Sequence, residues 1–123
     1  MARVLIADDE ESMRQLVARA IAMDGHETTT AEDGAEALEV LIKEDGGFDL
    51  LLTDIKMPVM DGIALALAAK RDFPKLTILL MTGFADQRER ASGLDVIVHD
   101  VVTKPFAVAD IRTAVADALA SRG

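Results

Sequence analysis

A chain of 123 residues, half of them hydrophobic and 28% charged, has the size and composition of one globular domain rather than of a disordered segment. A formal charge of -9 with no basic stripe repels a phosphate backbone, which disfavours direct nucleic-acid binding. The lack of cysteine excludes disulfides, thiolate metal sites and thiol nucleophiles; with no apolar run long enough for a signal or a span, we expect a cytoplasmic protein without membrane insertion.

In chain order, Val4 to Ala7 form a short continuous apolar run, and Met13, Leu16, Val17, Ala20 and Ile21 then recur at helical offsets. That predicts a strand followed by an amphipathic helix. Asp24 and Gly25 suit the helix end, "HETTT" reads as a short polar strand, and Asp33 with Glu36 resembles a capping box. Ala37, Leu38, Leu41 and Ile42 form the next helical stripe. After the "EDGG" turn, Phe48 to Thr53 predicts a buried strand, and Asp61 can cap a helix that carries Ile63, Ala66 and Leu67 inward.

Leu76 to Met81 predicts a fourth strand. "ADQRERASG" reads as a short polar helix with a solvated "DQRER" face, and "DVIVHDVVTK" as either one bent strand or two short ones. Past Pro105, Ile111, Ala114, Val115, Ala118 and Leu119 share one face of a last helix. Five strands alternating with about five helices imply a parallel sheet with helices on both faces and right-handed crossovers.

Each of four apolar strands stops at a polar residue: Asp8 and Asp9, Asp54, Thr82, and Lys104. Asp54 alone also fits a plain strand terminator, since aspartate is common in turns. In open α/β sheets, however, ligands bind at the carboxyl edge of the strands, where these residues would meet. Three clustered carboxylates repel one another unless a cation neutralises them, and an all-oxygen set suits Mg²⁺. A carboxylate nucleophile, a metal, an ammonium and a hydroxyl are the parts needed to accept a phosphoryl group.

The segments "VLIADDE", "LLLTDIKMPVMDG", "ILLMTG" and "VVTKPF" together resemble the receiver domains of two-component response regulators. The resemblance covers nearly the whole chain. It implies a CheY-like, flavodoxin-like fold: a doubly wound five-stranded parallel sheet of order 2-1-3-4-5 with five helices. It further implies that Asp54 is the phosphorylation site and that Asp9 and Asp54 bind Mg²⁺ directly, with Asp8 acting through water and Lys56 through its backbone carbonyl. Thr82 and Lys104 would grip the phosphoryl oxygens, and the Lys104-Pro105 peptide would be cis.

By the same resemblance a histidine kinase or histidine phosphotransfer protein donates the phosphoryl group. We expect a receiver domain over residues 1-121 with no output domain, regulating a separate effector protein. A flagellar motor component, a phosphorelay protein and a protease system are the candidates. The last is suggested by CpdR-type receivers, which are similar in the "TGFA" stretch and in lacking the switch aromatic, here Val101. Phe84 is the candidate substitute for that ring, against a plain core role. The Lys56 side chain is either a modulator of phosphoryl lifetime or a solvated loop lysine.

His26 and His99 fall away from the carboxyl edge and read as structural or solvent-facing, and Met57 and Met60 as anchors of the loop after Asp54. Two rival readings remain. A haloacid-dehalogenase-type phosphatase also ends a strand on a nucleophilic aspartate, but expects a second aspartate two residues on, where this chain has Lys56 after Asp54 and Glu10 after Asp8. A phosphorylation-independent interaction module would not need the complete acidic, hydroxyl and lysine set. The expectation is therefore a phosphoacceptor with self-dephosphorylation rather than an enzyme acting on a separate substrate.

Overall fold

A computed structural model describes residues 2-83 and 93-121. Its elements run β1 (Arg3–Ala7), α1 (Glu11–Ala22), β2 (Glu27–Ala31), α2 (Gly34–Lys43), β3 (Leu50–Asp54), α3 (Gly62–Asp72), β4 (Thr77–Thr82), β5 (Asp100–Thr103) and α4 (Val108–Ala120). All strands pair in parallel, in the order β2-β1-β3-β4-β5. Four helices lie among the described residues. The expected polar helix at 85-93 falls almost wholly outside them, as does Phe84.

The two faces of the sheet follow from the two-residue period of a strand. Leu5, Leu51, Ile78 and Leu80 point to one side, where Ala37 and Leu41 of α2 and Leu65, Ala66 and Ala69 of α3 cover them. Val4, Ile6, Leu50, Leu52, Leu79 and Met81 point to the other, against Val17 and Ile21 of α1 and Ile111 and Val115 of α4. β3 is central and buried over its whole length, so its sequence is continuously apolar until Asp54. Each leucine buried there contributes about 2 kcal/mol, enough in sum to hold the strand ends rigidly.

Helix caps form where the sequence places them. The Asp33 carboxylate accepts from the Glu36 N–H at 2.8 Å, and that of Asp61 from the Ala64 N–H at 2.9 Å. Asp33→Ala is expected to lower stability by about 1 kcal/mol, read as a fall in the urea midpoint with an unchanged slope. Gly25, at φ +84, turns the chain out of α1 toward β2.

Three details depart from the sequence expectations. Leu67 is 50% exposed and Ile42 59%, so neither belongs to the core. Each lies about 100° around the helix from a buried neighbour, Ala66 or Leu41, and Leu65 takes the inward place expected of Leu67. The stretch 95-104 is neither one bent strand nor two. The N–H groups of Ile97 and Val98 turn back to the Leu94 carbonyl at 2.9 and 2.8 Å, and β5 pairing starts only after His99 donates to Ile78 O at 2.8 Å. The buried strand over 48-53 begins two residues late: Phe48 precedes it, buried under the Arg3 guanidinium 4.5 Å from its ring centroid.

Candidate functional site

Strand register brings the polar residues together. Ala7 pairs with Thr53, Asp54 with Met81, and Thr82 with Thr103, so Asp8, Asp54, Thr82 and Lys104 stand side by side at one edge. Parallel strands all present their carboxyl ends to that edge, which is why residues 96 apart in sequence become neighbours.

The Lys104 ammonium lies 3.3 Å from Asp54 Oδ1 and 3.5 Å from Asp8 Oδ2. Asp8, Asp9 and Asp54 each offer an oxygen, all within 4.8 Å of one another. Their surroundings differ. Asp8 is fully buried and Asp54 8% exposed, whereas Asp9 faces solvent. Asp8 Oδ1 accepts from the Glu10 N–H and Asp54 Oδ1 from the Ile55 N–H, each at 3.0 Å. The Lys104 N–H donates to Thr82 O at 2.6 Å, which ties the lysine strand to the end of β4. Thr82 is buried, and the Lys104-Pro105 peptide is cis.

Burial raises the Asp54 carboxyl to about 6, against the opposing pull of Lys104 and with a smaller upward push from Asp8. Burial likewise raises Asp8, countered by the Glu10 N–H and Lys104 and assisted by Asp9. One ammonium therefore does not neutralise the cluster. An oxygen-only set with one water-facing member suits a hard divalent ion that keeps part of its hydration, so the residues present fit Mg²⁺.

A cleft of about 590 Å³ opens over these groups, with Glu10, Lys56, Met57, Pro58 and Gly83 on its walls. Lys56 is exposed at this wall. Met57 is 9% exposed and packs into the core with Met60 beside it, while Val59 projects outward with 85% of its surface exposed. The loop is stapled at both ends: Gly62 N–H donates to Ile55 O at 2.7 Å, and Gly34 N–H to Met60 O at 3.1 Å.

Other residues singled out in the sequence sit elsewhere. His26 precedes β2 and accepts the Ala2 N–H on Nδ1 at 3.1 Å, and His99 precedes β5 with Nε2 3.2 Å from Asp117 Oδ2. Val101 is half-buried against the α2 and α3 side. Sequence reasoning missed Glu10, whose N–H holds Asp8, and Arg14, whose Nη1 donates to the Asp8 carbonyl at 2.9 Å. A cation in the first turns of a helix is disfavoured by the dipole, but which group Arg14 meets there has no local signature in sequence.

Comparison with known proteins points to one family. The family model described as "Response regulator receiver domain" matches residues 4–116. The response regulator receiver protein CpdR of Brucella abortus is 40% identical over 111 residues, covering 90% of this chain and 91% of that protein. The transcriptional regulator NtrC of Escherichia coli is 41% identical over 113 residues, but there the chain spans only 23% of the relative's length. Among solved structures, chemotaxis response regulator CheY4 of Vibrio cholerae superposes with a TM-score of 0.85 at 31% identity, covering 96% of this chain and 98% of that one. TrrA of Thermotoga maritima, solved in complex with Mg(2+)-BeF, gives 0.83 at 29% identity, covering 95% and 98%.

Proposed function

From the premise that this chain belongs to the response regulator receiver domain family, we propose that it is a phosphorylation-controlled switch in which Asp54 accepts a phosphoryl group from a histidine kinase or a histidine phosphotransfer protein. The observation that carries this reading is the buried Asp54 carboxylate at the end of the central strand, 3.3 Å from Lys104 and within the Asp8 and Asp9 cluster.

An Asp54 carboxylate oxygen attacks phosphorus, the new O–P bond forms as the N–P bond of phosphohistidine breaks, and the leaving imidazole takes up a proton. Asp8, Asp9 and Asp54, with the Lys56 carbonyl, would hold Mg²⁺. When bound, that ion supplies positive charge that keeps Asp54 ionised near neutrality. The Lys104 ammonium and the Thr82 hydroxyl gather the transferred oxygens. Because β3 is fully buried, Asp54 meets the donor without first being ordered.

The phosphorylated site carries roughly two negative charges, and drawing Thr82 and Lys104 toward it repacks the ends of β4 and β5. A separate effector protein reads the altered surface in the cytoplasm, and the likeness to CpdR-type receivers makes a protease system the candidate. The receiver domain spans residues 1-121, and hydrolysis of its own phosphoaspartate resets it. None of the described helices is long and apolar enough to cross a membrane.

Incubation with Mg²⁺ and acetyl phosphate followed by intact-mass spectrometry should show one added phosphoryl group, lost in Asp54→Asn and in chelator. An unmodified parent chain, or catalytic turnover of an ordinary phosphomonoester, would defeat the proposal.

A further inference from the structure

Arg14 is placed against its own energetics. It lies one turn into α1, where the helix dipole disfavours a cation, yet its side chain is only 11% exposed. Arginine is rarely buried without a matched partner, and here the only carboxylate described beside it, on Glu32, stands 3.7 Å away and is itself 70% exposed. Such a loose, solvated pair does not account for withdrawing a guanidinium from water.

The short contact is the other one. Arg14 Nη1 donates to the Asp8 carbonyl at 2.9 Å. That oxygen belongs to the peptide unit joining Asp8 to Asp9, so the bond sets the plane from which both carboxylate-bearing residues project. The remaining ties on Asp8 are already engaged: its N–H goes to Ala31 O at 3.2 Å, Oδ1 takes the Glu10 N–H, and Oδ2 faces Lys104. Without Arg14, the Asp8 to Asp9 peptide would be the least restrained part of the acidic cluster. Glu32 follows β2 directly, so the fork of the guanidinium joins the β1 to α1 turn to the end of a neighbouring strand.

We infer that Arg14 is a positioning residue for the acidic pocket, bracing the peptide between Asp8 and Asp9 so that their carboxylates are preset for a divalent cation. This rests on the receiver reading of the site. A simple charge effect has the opposite sign, because a nearby cation repels Mg²⁺; positioning and charge can therefore be separated. Residues that orient metal ligands from outside typically contribute about tenfold or more to affinity.

The test is calorimetric titration of Mg²⁺ into the metal-free full chain, with circular dichroism to establish that each variant is folded. Arg14→Met should bind Mg²⁺ about tenfold more weakly than the parent. Arg14→Lys, which keeps the charge but lacks the fork, should fall between them. Binding by Arg14→Met as tight as the parent's, or tighter, would overturn the inference. If Arg14→Met does not fold, Arg14→Lys alone decides, and parent-like affinity in it is the overturning result. A parent chain that binds no Mg²⁺ would instead overturn the receiver reading of the pocket, and this inference with it.

Discussion

Asp54→Asn is expected to take up no phosphoryl group and yet, in metal-free buffer at neutral pH, to unfold at a higher temperature than the parent. Burial raises the folded-state carboxyl to about 6, whereas an unfolded aspartate titrates near its ordinary value of 3.8. A raised carboxyl means that the folded state binds the proton more tightly. Its contribution to stability is therefore present in acid and is lost as pH rises from the unfolded value through the folded one. Above that window the folded chain bears a buried anion that Lys104 only partly offsets.

Raising the carboxyl from 3.8 to about 6 corresponds to about 3 kcal/mol, a figure that already includes the opposing pull of Lys104. In a domain of this size that is a rise in Tm of roughly 10 °C. Scanning calorimetry on both chains tests the sign directly. The gap should close at about pH 4, where the parent's Asp54 is protonated, and shrink in saturating Mg²⁺, which binds and stabilises the ionised parent. A variant less stable than the parent in metal-free neutral buffer would show that the carboxylate is a stabilising charge and that burial does not dominate its titration.

Gly62→Ala should cost about 3 kcal/mol, although alanine is the better helix former by about 1 kcal/mol and Gly62 opens α3. A Cβ there would press on the Asp54 carbonyl oxygen and come within 2.9 Å of both the Asp54 carbonyl carbon and Ile55 Cα. All three are backbone atoms that cannot rotate away. The Gly62 N–H is meanwhile committed to Ile55 O at 2.7 Å, so α3 cannot withdraw without opening the loop.

The strain would therefore fall on the residue that carries the acceptor carboxylate. Urea unfolding should show the stability loss, and acetyl phosphate labelling of the folded fraction should slow by about tenfold, because displacements of about 1 Å at a reacting group are costly. Gly25→Ala is the informative contrast. It has open space around the added carbon and only φ +84 to object, so it should cost about 1 kcal/mol and leave labelling unchanged.

What could be read from the chain alone was whatever is encoded locally. Apolar runs that stop at Asp8, Asp54 and Thr82 mark strand ends because a buried parallel strand must be apolar throughout. The caps at Asp33 and Asp61 are legible because their partners lie three residues away. Helical spacing located the helices but not their exact inner faces: Leu67 and Ile42 are turned outward because the sheet, at long range, selects which part of an apolar stripe is covered. Only the tertiary structure decided that Gly62 must lack a side chain, that Arg14 holds the Asp8 carbonyl, and that Asp54 titrates near 6. Each of these depends on the distance between groups that the polymer separates and the sheet brings together, and neither close approach nor desolvation has a local signature in sequence.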